Sequence, residues 1–137
     1  MSHAKVYLSY DYVHDGEEKA LFAAKGHDCL TPFSVQGSSE KPSGPDDAGW
    51  LQEVREKIEK SHMLIVLVGQ HMDNVPWVEK EVAIGHELDL PVFGVYVGGA
   101  GPGAALPEGL DRKVTIRLEW DDVANVIYNF LPGGRNR

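Results

Sequence analysis

At 137 residues and 15.1 kDa the chain has room for one domain with its own core, and 42% hydrophobic against 25% charged residues is ordinary globular composition. A net charge of −8 without any cluster of Lys and Arg excludes a general nucleic-acid binder, because phosphate contacts need grouped cations. Cys29 has no second cysteine to pair with, which fits a reducing compartment. MSHAKVYLSY lacks an apolar leader, and no apolar run is long enough to span a bilayer, so the expectation is a cytoplasmic protein off the membrane.

Lys5 to Tyr10 reads as the first strand, with Val6 and Leu8 on one face. A helix follows from Glu17 to Lys25, with Asp15 expected at its N-cap, Ala20, Leu21 and Ala24 on its apolar side, and Gly26 stopping it. Cys29 to Val35 is a weaker strand, which Pro32 restricts to an edge or a short piece. Gln36 to Gly49 is rich in Gly, Ser and Pro without periodicity, and reads as a long loop. Trp50 to Ser61 is an amphipathic helix facing inward through Trp50, Leu51, Val54 and Ile58.

Met63 to Val68, MLIVLV, is an unbroken apolar run, the pattern of a central strand in a parallel sheet with both faces covered. A polar loop, a helix starting near Pro76 and the strand PVFGVYV complete a β-α-β unit. Val114 to Leu118 is a fifth strand, and Asp121 or Asp122 is expected to cap a last helix facing inward through Val123, Val126, Ile127 and Phe130. Residues 132–137 read as a flexible tail on a single domain whose core runs from about 5 to 131. Five strands alternating with helices predict an α/β, three-layer doubly wound sheet of flavodoxin-like order 2-1-3-4-5. In that order the loops after Tyr10 and Gly69 flank one crevice.

Trp77, Glu81, Ile84 and Leu88 follow i, i+4, i+7, i+11 spacing, so a carboxylate interrupts an apolar stripe beside that crevice. Periodicity leaves two readings open: a buried functional carboxylate, or a glutamate on the helix edge reaching water. Ser9, Tyr10 and Asp11 leave the first strand at the same crevice, as ligand contacts or as a turn in which Asp11 satisfies local N–H groups. The third strand ends Val68-Gly69-Gln70 without a carboxylate, which argues against a phosphorylated receiver. The glycines from Gly98 to Gly103 open onto Ala-Ala-Leu-Pro rather than a helix, so they make no dinucleotide fingerprint. Six histidines show no i, i+4 pair and no cysteine partner, so no metal is expected, and Ser34, Ser38 and Ser39 lie in no nucleophile elbow. His71 reads as a solvated loop residue.

KVYLSYD, FSV before the long loop, WLQEVREKIEKSHMLIVLVG and WVEKEVAIGHELDLPVFGV together resemble the TIR-like domains of bacteria. These are flavodoxin-like relatives of the Toll/interleukin-1 receptor domain and include the TIR subunits of Thoeris anti-phage systems. The resemblance runs from Lys5 to about Leu131. It implies that Glu81, four residues after Trp77, is catalytic, that Ser9, Tyr10, Asp11, Phe33, Ser34 and Trp77 line the substrate site, and that the Gln36–Gly49 loop gates and assembles it. It further implies NAD as substrate with no bound cofactor. The nicotinamide–ribose bond would be cleaved to give ADP-ribose or a cyclic ADP-ribose isomer, read by an effector protein, with self-association of the enzyme. Asn74-Val75-Pro76 departs from the small residue and lysine common before that tryptophan. The alternative implied by the same family is a non-catalytic interaction scaffold.

Overall fold

A computed structural model describes residues 4–41 and 47–131. Five strands form one parallel sheet of order β2-β1-β3-β4-β5, as the alternation of elements predicted. They are β1 Ala4–Ser9, β2 Phe33–Ser38, β3 Met63–Val68, β4 Val92–Tyr96 and β5 Thr115–Ile116. The α-helices are α1 Gly16–Ala24, α2 Asp47–Glu59, α3 Pro76–Glu87 and α4 Trp120–Phe130. No helix among the described residues is long and apolar enough to cross a membrane.

The centre of the sheet follows from β3. Its six residues are all fully buried, because its side chains alternate between two apolar layers. Met63, Ile65 and Leu67 join Val6, Leu8, Phe22, Val123 and Ile127 on one side. Leu64, Val66 and Val68 join Tyr7, Val54, Ile58, Val78 and Val82 on the other. Each such side chain contributes about 1.5–3 kcal/mol of burial. The alternation that sends Val6 and Leu8 to the first layer therefore sends Tyr7 and Ser9 to the second, under α3.

Several sequence expectations change. β2 begins at Phe33 and runs to Ser38, so residues 36–38 are strand rather than loop. Pro32 precedes the strand, and its carbonyl accepts the Ala4 N–H at 3.1 Å. Its lack of an N–H therefore marks the start of the edge strand rather than an interruption within it. The loop between β2 and α2 shrinks to residues 39–46, of which 42–46 lie outside the described residues, as do residues 132–137 of the expected tail. In α1 the inward residues are Phe22 and Ala23, whereas Leu21 is 71% exposed and Ala20 and Ala24 face outward. Gly26 sits in a 3₁₀ turn, Lys25–His27, buried against Phe33, instead of closing the helix in a left-handed conformation. The fifth strand is cut to two residues. Glu119, not Asp121 or Asp122, caps α4, accepting the Asp121 N–H at 2.8 Å.

One irregularity positions the site. β1 and β2 stay in register from Ala4↔Phe33 to Val6↔Val35, and then Tyr7 pairs with Gly37, leaving Gln36 as an extra residue. A Cβ on Gly37 would lie 3.1 Å from the Tyr7 ring and 2.8 Å from Lys57 Cδ. The glycine thus leaves space for the Tyr7 ring and the Lys57 side chain.

Candidate functional site

α3 starts cleanly because Val75 is non-helical and Pro76 occupies the first turn, where a missing N–H is harmless. Its buried face comprises Val78, Glu81, Val82, Ile84 and Gly85, a broader stripe than the sequence spacing indicated, and Trp77 is half-buried at its edge. Gly85 allows the helix to approach Leu64 and Val92, since a Cβ there would meet them at 3.2–3.4 Å. That approach brings Glu81 against β1.

Glu81 is fully buried, and three hydroxyls hold it. Ser9 Oγ and Ser39 Oγ each donate to Oε1 at 2.6 Å, and Tyr7 Oη donates to Oε2 at 2.8 Å. Ser39 also accepts the Tyr10 N–H at 3.0 Å, and its own N–H donates to the Leu8 carbonyl, extending the β1–β2 ladder by one residue. Burial pushes the Glu81 carboxyl up from 4.5 to about 7, while the hydroxyls of Ser39, Ser9 and Tyr7 pull the other way. The phenol of Tyr7 is raised, first by burial and then by the negative charge of Glu81. A carboxylate with a pKa near neutrality, held at both oxygens, is a preorganised negative charge in a low-dielectric setting.

Trp77 joins this cradle to the crevice between β1 and β3. Its Nε1 donates to the Tyr10 carbonyl at 3.0 Å, and its ring stacks on Tyr12 with centroids 4.3 Å apart. Asp11, Val13, His14, His71, Asp73 and Trp77 line a groove of about 490 Å³ there. Asp11 is buried, and its Oδ1 accepts the Val13 N–H at 3.0 Å, so it makes the local turn the sequence allowed for. Its Oδ2 also holds His14 Nδ1 at 2.6 Å. Asp15 stands at the N-cap of α1 but caps nothing with its side chain. Instead its carboxylate packs over Gly69 at the end of β3, with Oδ2 buried and unpartnered. Burial raises its carboxyl, and the charge of Asp11 raises it further.

Of the expected site residues, the structure brings Ser9, Tyr10, Asp11, Trp77 and Glu81 together at the carboxyl ends of β1 and β3. Phe33 and Ser34 are not with them. They pair with Ala4 and Lys5 at the opposite end of the sheet, Phe33 in the core against Phe22 and Ser34 accepting from Gln36. Ser39 takes the place expected of Ser34, because β2 runs on to Ser38. Tyr7 and Ser39 were missed. Tyr7 was legible in principle: alternation puts it on the same face as Ser9, and a buried glutamate requires donors. A second groove, of about 750 Å³, runs along the outer side of α3 past Glu79, Lys80 and His86, away from Glu81.

The family model of the Thoeris protein ThsB TIR-like domain matches residues 7–101, a stretch that holds Tyr7, Ser9, Ser39, Trp77 and Glu81. Among solved structures the chain is similar to a 3-dehydroquinate dehydratase-like protein from Bifidobacterium longum, at 13% identity over 93% of each chain with a TM-score of 0.42. A likeness of that size carries no argument about site or activity. No curated protein matches the chain. The family match spans well over half of the chain, which therefore belongs to the Thoeris ThsB TIR-like family.

Proposed function

From that membership, we propose that the protein is a TIR-type NAD-cleaving enzyme acting in anti-phage defence. It releases nicotinamide and leaves ADP-ribose or a cyclic ADP-ribose isomer that signals to an effector. The observation that supports this reading is Glu81, a buried carboxylate raised to about 7 and gripped by Tyr7, Ser9 and Ser39 beside the β1/β3 crevice. Breaking the nicotinamide–ribose bond builds oxocarbenium character on the ribose, and a fixed negative charge stabilises that developing cation. Nicotinamide departs as a neutral molecule, so the leaving group needs no general acid. Glu81 has no solvent exposure and Ser39 occupies its Oε1, so substrate contact there requires Ser39 to move away. The oxygen position vacated by Ser39 then accepts a ribose hydroxyl.

The test is incubation of concentrated protein with NAD, with products separated by chromatography and mass spectrometry, alongside Glu81→Gln and Glu81→Ala. Nicotinamide release that disappears in both folded variants is the expected result. Release that persists in them removes Glu81 from the mechanism.

The complete hydrogen bonding of Glu81 also favours a second reading, a non-catalytic interaction module in which the Tyr7–Ser9–Ser39–Glu81 cluster ties α3 to the sheet. Under it, Glu81→Gln retains protection against phage, while deletion of residues 40–46 abolishes both self-association and protection.

A further inference from the structure

The groove at the β1/β3 crevice contains a histidine–carboxylate pair that the Glu81 cradle does not use. Asp11 Oδ1 is occupied by the Val13 N–H, and Oδ2 faces His14 Nδ1 at 2.6 Å. A carboxylate oxygen can only accept, so Nδ1 carries a proton, and in the neutral imidazole the lone pair is on Nε2. No described residue engages Nε2, and the His14 side chain is 48% exposed on the groove. The His71 ring stacks on His14 with centroids 3.9 Å apart and planes 23° apart, which fixes the orientation of the imidazole. A proton taken up at Nε2 is balanced by the buried Asp11 carboxylate at Nδ1, with the buried, unpartnered Oδ2 of Asp15 nearby. Asp73 adds a further negative charge to the lining, and neither Lys nor Arg is part of it. A buried carboxylate orienting a half-exposed imidazole whose far nitrogen is free is the arrangement of a general base.

Its place relative to Glu81 suits a base working on the same ribosyl group. Ser9 touches Glu81 and Asp11 touches His14, and with only Tyr10 between them the Cα atoms of Ser9 and Asp11 are at most about 7 Å apart. Trp77 lines the groove and bonds the carbonyl of Tyr10, the residue between Ser9 and Asp11. A volume of about 490 Å³ is within the range of small-molecule sites.

We propose that His14, oriented by Asp11 and stacked on His71, is the general base that deprotonates the hydroxyl acceptor, a water or a ribose hydroxyl, that captures the ribosyl group. This rests on the NAD-cleaving reading. The acceptor oxygen forms its bond to C1′ as the C1′–nitrogen bond breaks, and that bond's electron pair leaves with neutral nicotinamide. The acceptor's proton passes to His14 Nε2 and then to solvent. Capture by a ring nitrogen of adenine requires no such proton transfer, so His14 biases the product toward oxygen-linked compounds.

The experiment follows nicotinamide, ADP-ribose and cyclic products from NAD in wild type, His14→Ala and Asp11→Asn, each with and without added imidazole. His14→Ala is expected to slow oxygen-linked products about 100-fold, with partial restoration by imidazole. Asp11→Asn keeps the Val13 bond through its carbonyl but presents an NH₂ to Nδ1. It pushes the ring proton onto Nε2 and is expected to show the same loss without rescue. If Asp11→Asn fails to fold, the half-exposed His14→Ala still carries the test. Turnover that depends on Glu81 but has unchanged rate and products in His14→Ala overturns this inference alone. A loss in His14→Ala that imidazole does not restore assigns the residue a packing role and also overturns it. Wild type that releases no nicotinamide removes the NAD-cleaving reading and this inference with it.

Discussion

Replacing Glu81 by glutamine should change how stability depends on pH. In the unfolded chain the carboxyl loses its proton near 4.5, and in the folded protein near about 7. Between those values the native state binds more protons than the unfolded state, so stability falls as pH rises. The contribution is fully present below 4.5 and is lost as pH passes about 7. The rise corresponds to ~3 kcal/mol, an order-of-magnitude figure. Glutamine removes this slope while keeping the shape: its carbonyl accepts from Ser9 and Ser39, and its NH₂ faces Tyr7. The rearranged Tyr7 hydrogen bond adds an offset of about 1 kcal/mol that does not vary with pH. Urea denaturation followed by circular dichroism at a series of pH values from 4 to 8 measures the difference between Glu81→Gln and wild type. That difference should move by ~3 kcal/mol in favour of glutamine as pH rises, chiefly between 4.5 and 7. A flat difference, or one moving toward wild type, would show that Glu81 is not held as a destabilised carboxylate. A buried carboxylate that weakens its own fold at neutral pH is a candidate for a chemical rather than a structural role.

Tyr7→Phe and Ser39→Ala each strip one donor from the buried carboxylate, and each should cost about 1.5–3 kcal/mol at pH 8 and less at pH 5, read by the same denaturation series. Ser39→Ala also leaves the Tyr10 N–H without its acceptor, so it should be the more damaging at pH 5, and the reverse order would contradict this assignment. Gly69→Ala places a Cβ 2.0 Å from Asp15 Oδ2 and should destabilise by roughly 1–3 kcal/mol in a thermal melt by displacing that carboxylate; an unchanged melting temperature would mean that Asp15 does not pack there in solution.

The architecture is legible in the order of residues, because the signals that define it are local. MLIVLV has no polar position to expose and can only be a strand covered on both faces. The alternation of strands with helices then admits few topologies, and 2-1-3-4-5 is the one formed. The spacing from Trp77 to Glu81 put a carboxylate within the apolar stripe of α3 and left open whether it was buried or reached water; the tertiary structure buries it. Tertiary structure decided what surrounds that carboxylate. Tyr7 and Ser39 lie 74 and 42 residues from Glu81 along the chain; alternation puts Tyr7 on the face of Ser9, but only the tertiary structure brings that face and Ser39 to Glu81. The edge strand β2 was misplaced because FSVQGS has only Phe33 fully buried, so its burial is too weak to print a pattern on the sequence. That error moved the expected serine from the crevice to the far end of the sheet. The extra residue Gln36 then sets the register that carries Ser39 to Glu81. His14 and His71 meet for a comparable reason: β1 and β3, distant in sequence, are neighbours in the sheet, and their following loops share one crevice. Local burial patterns chose the strands and helices, while hydrogen-bond register between distant strands assembled the site.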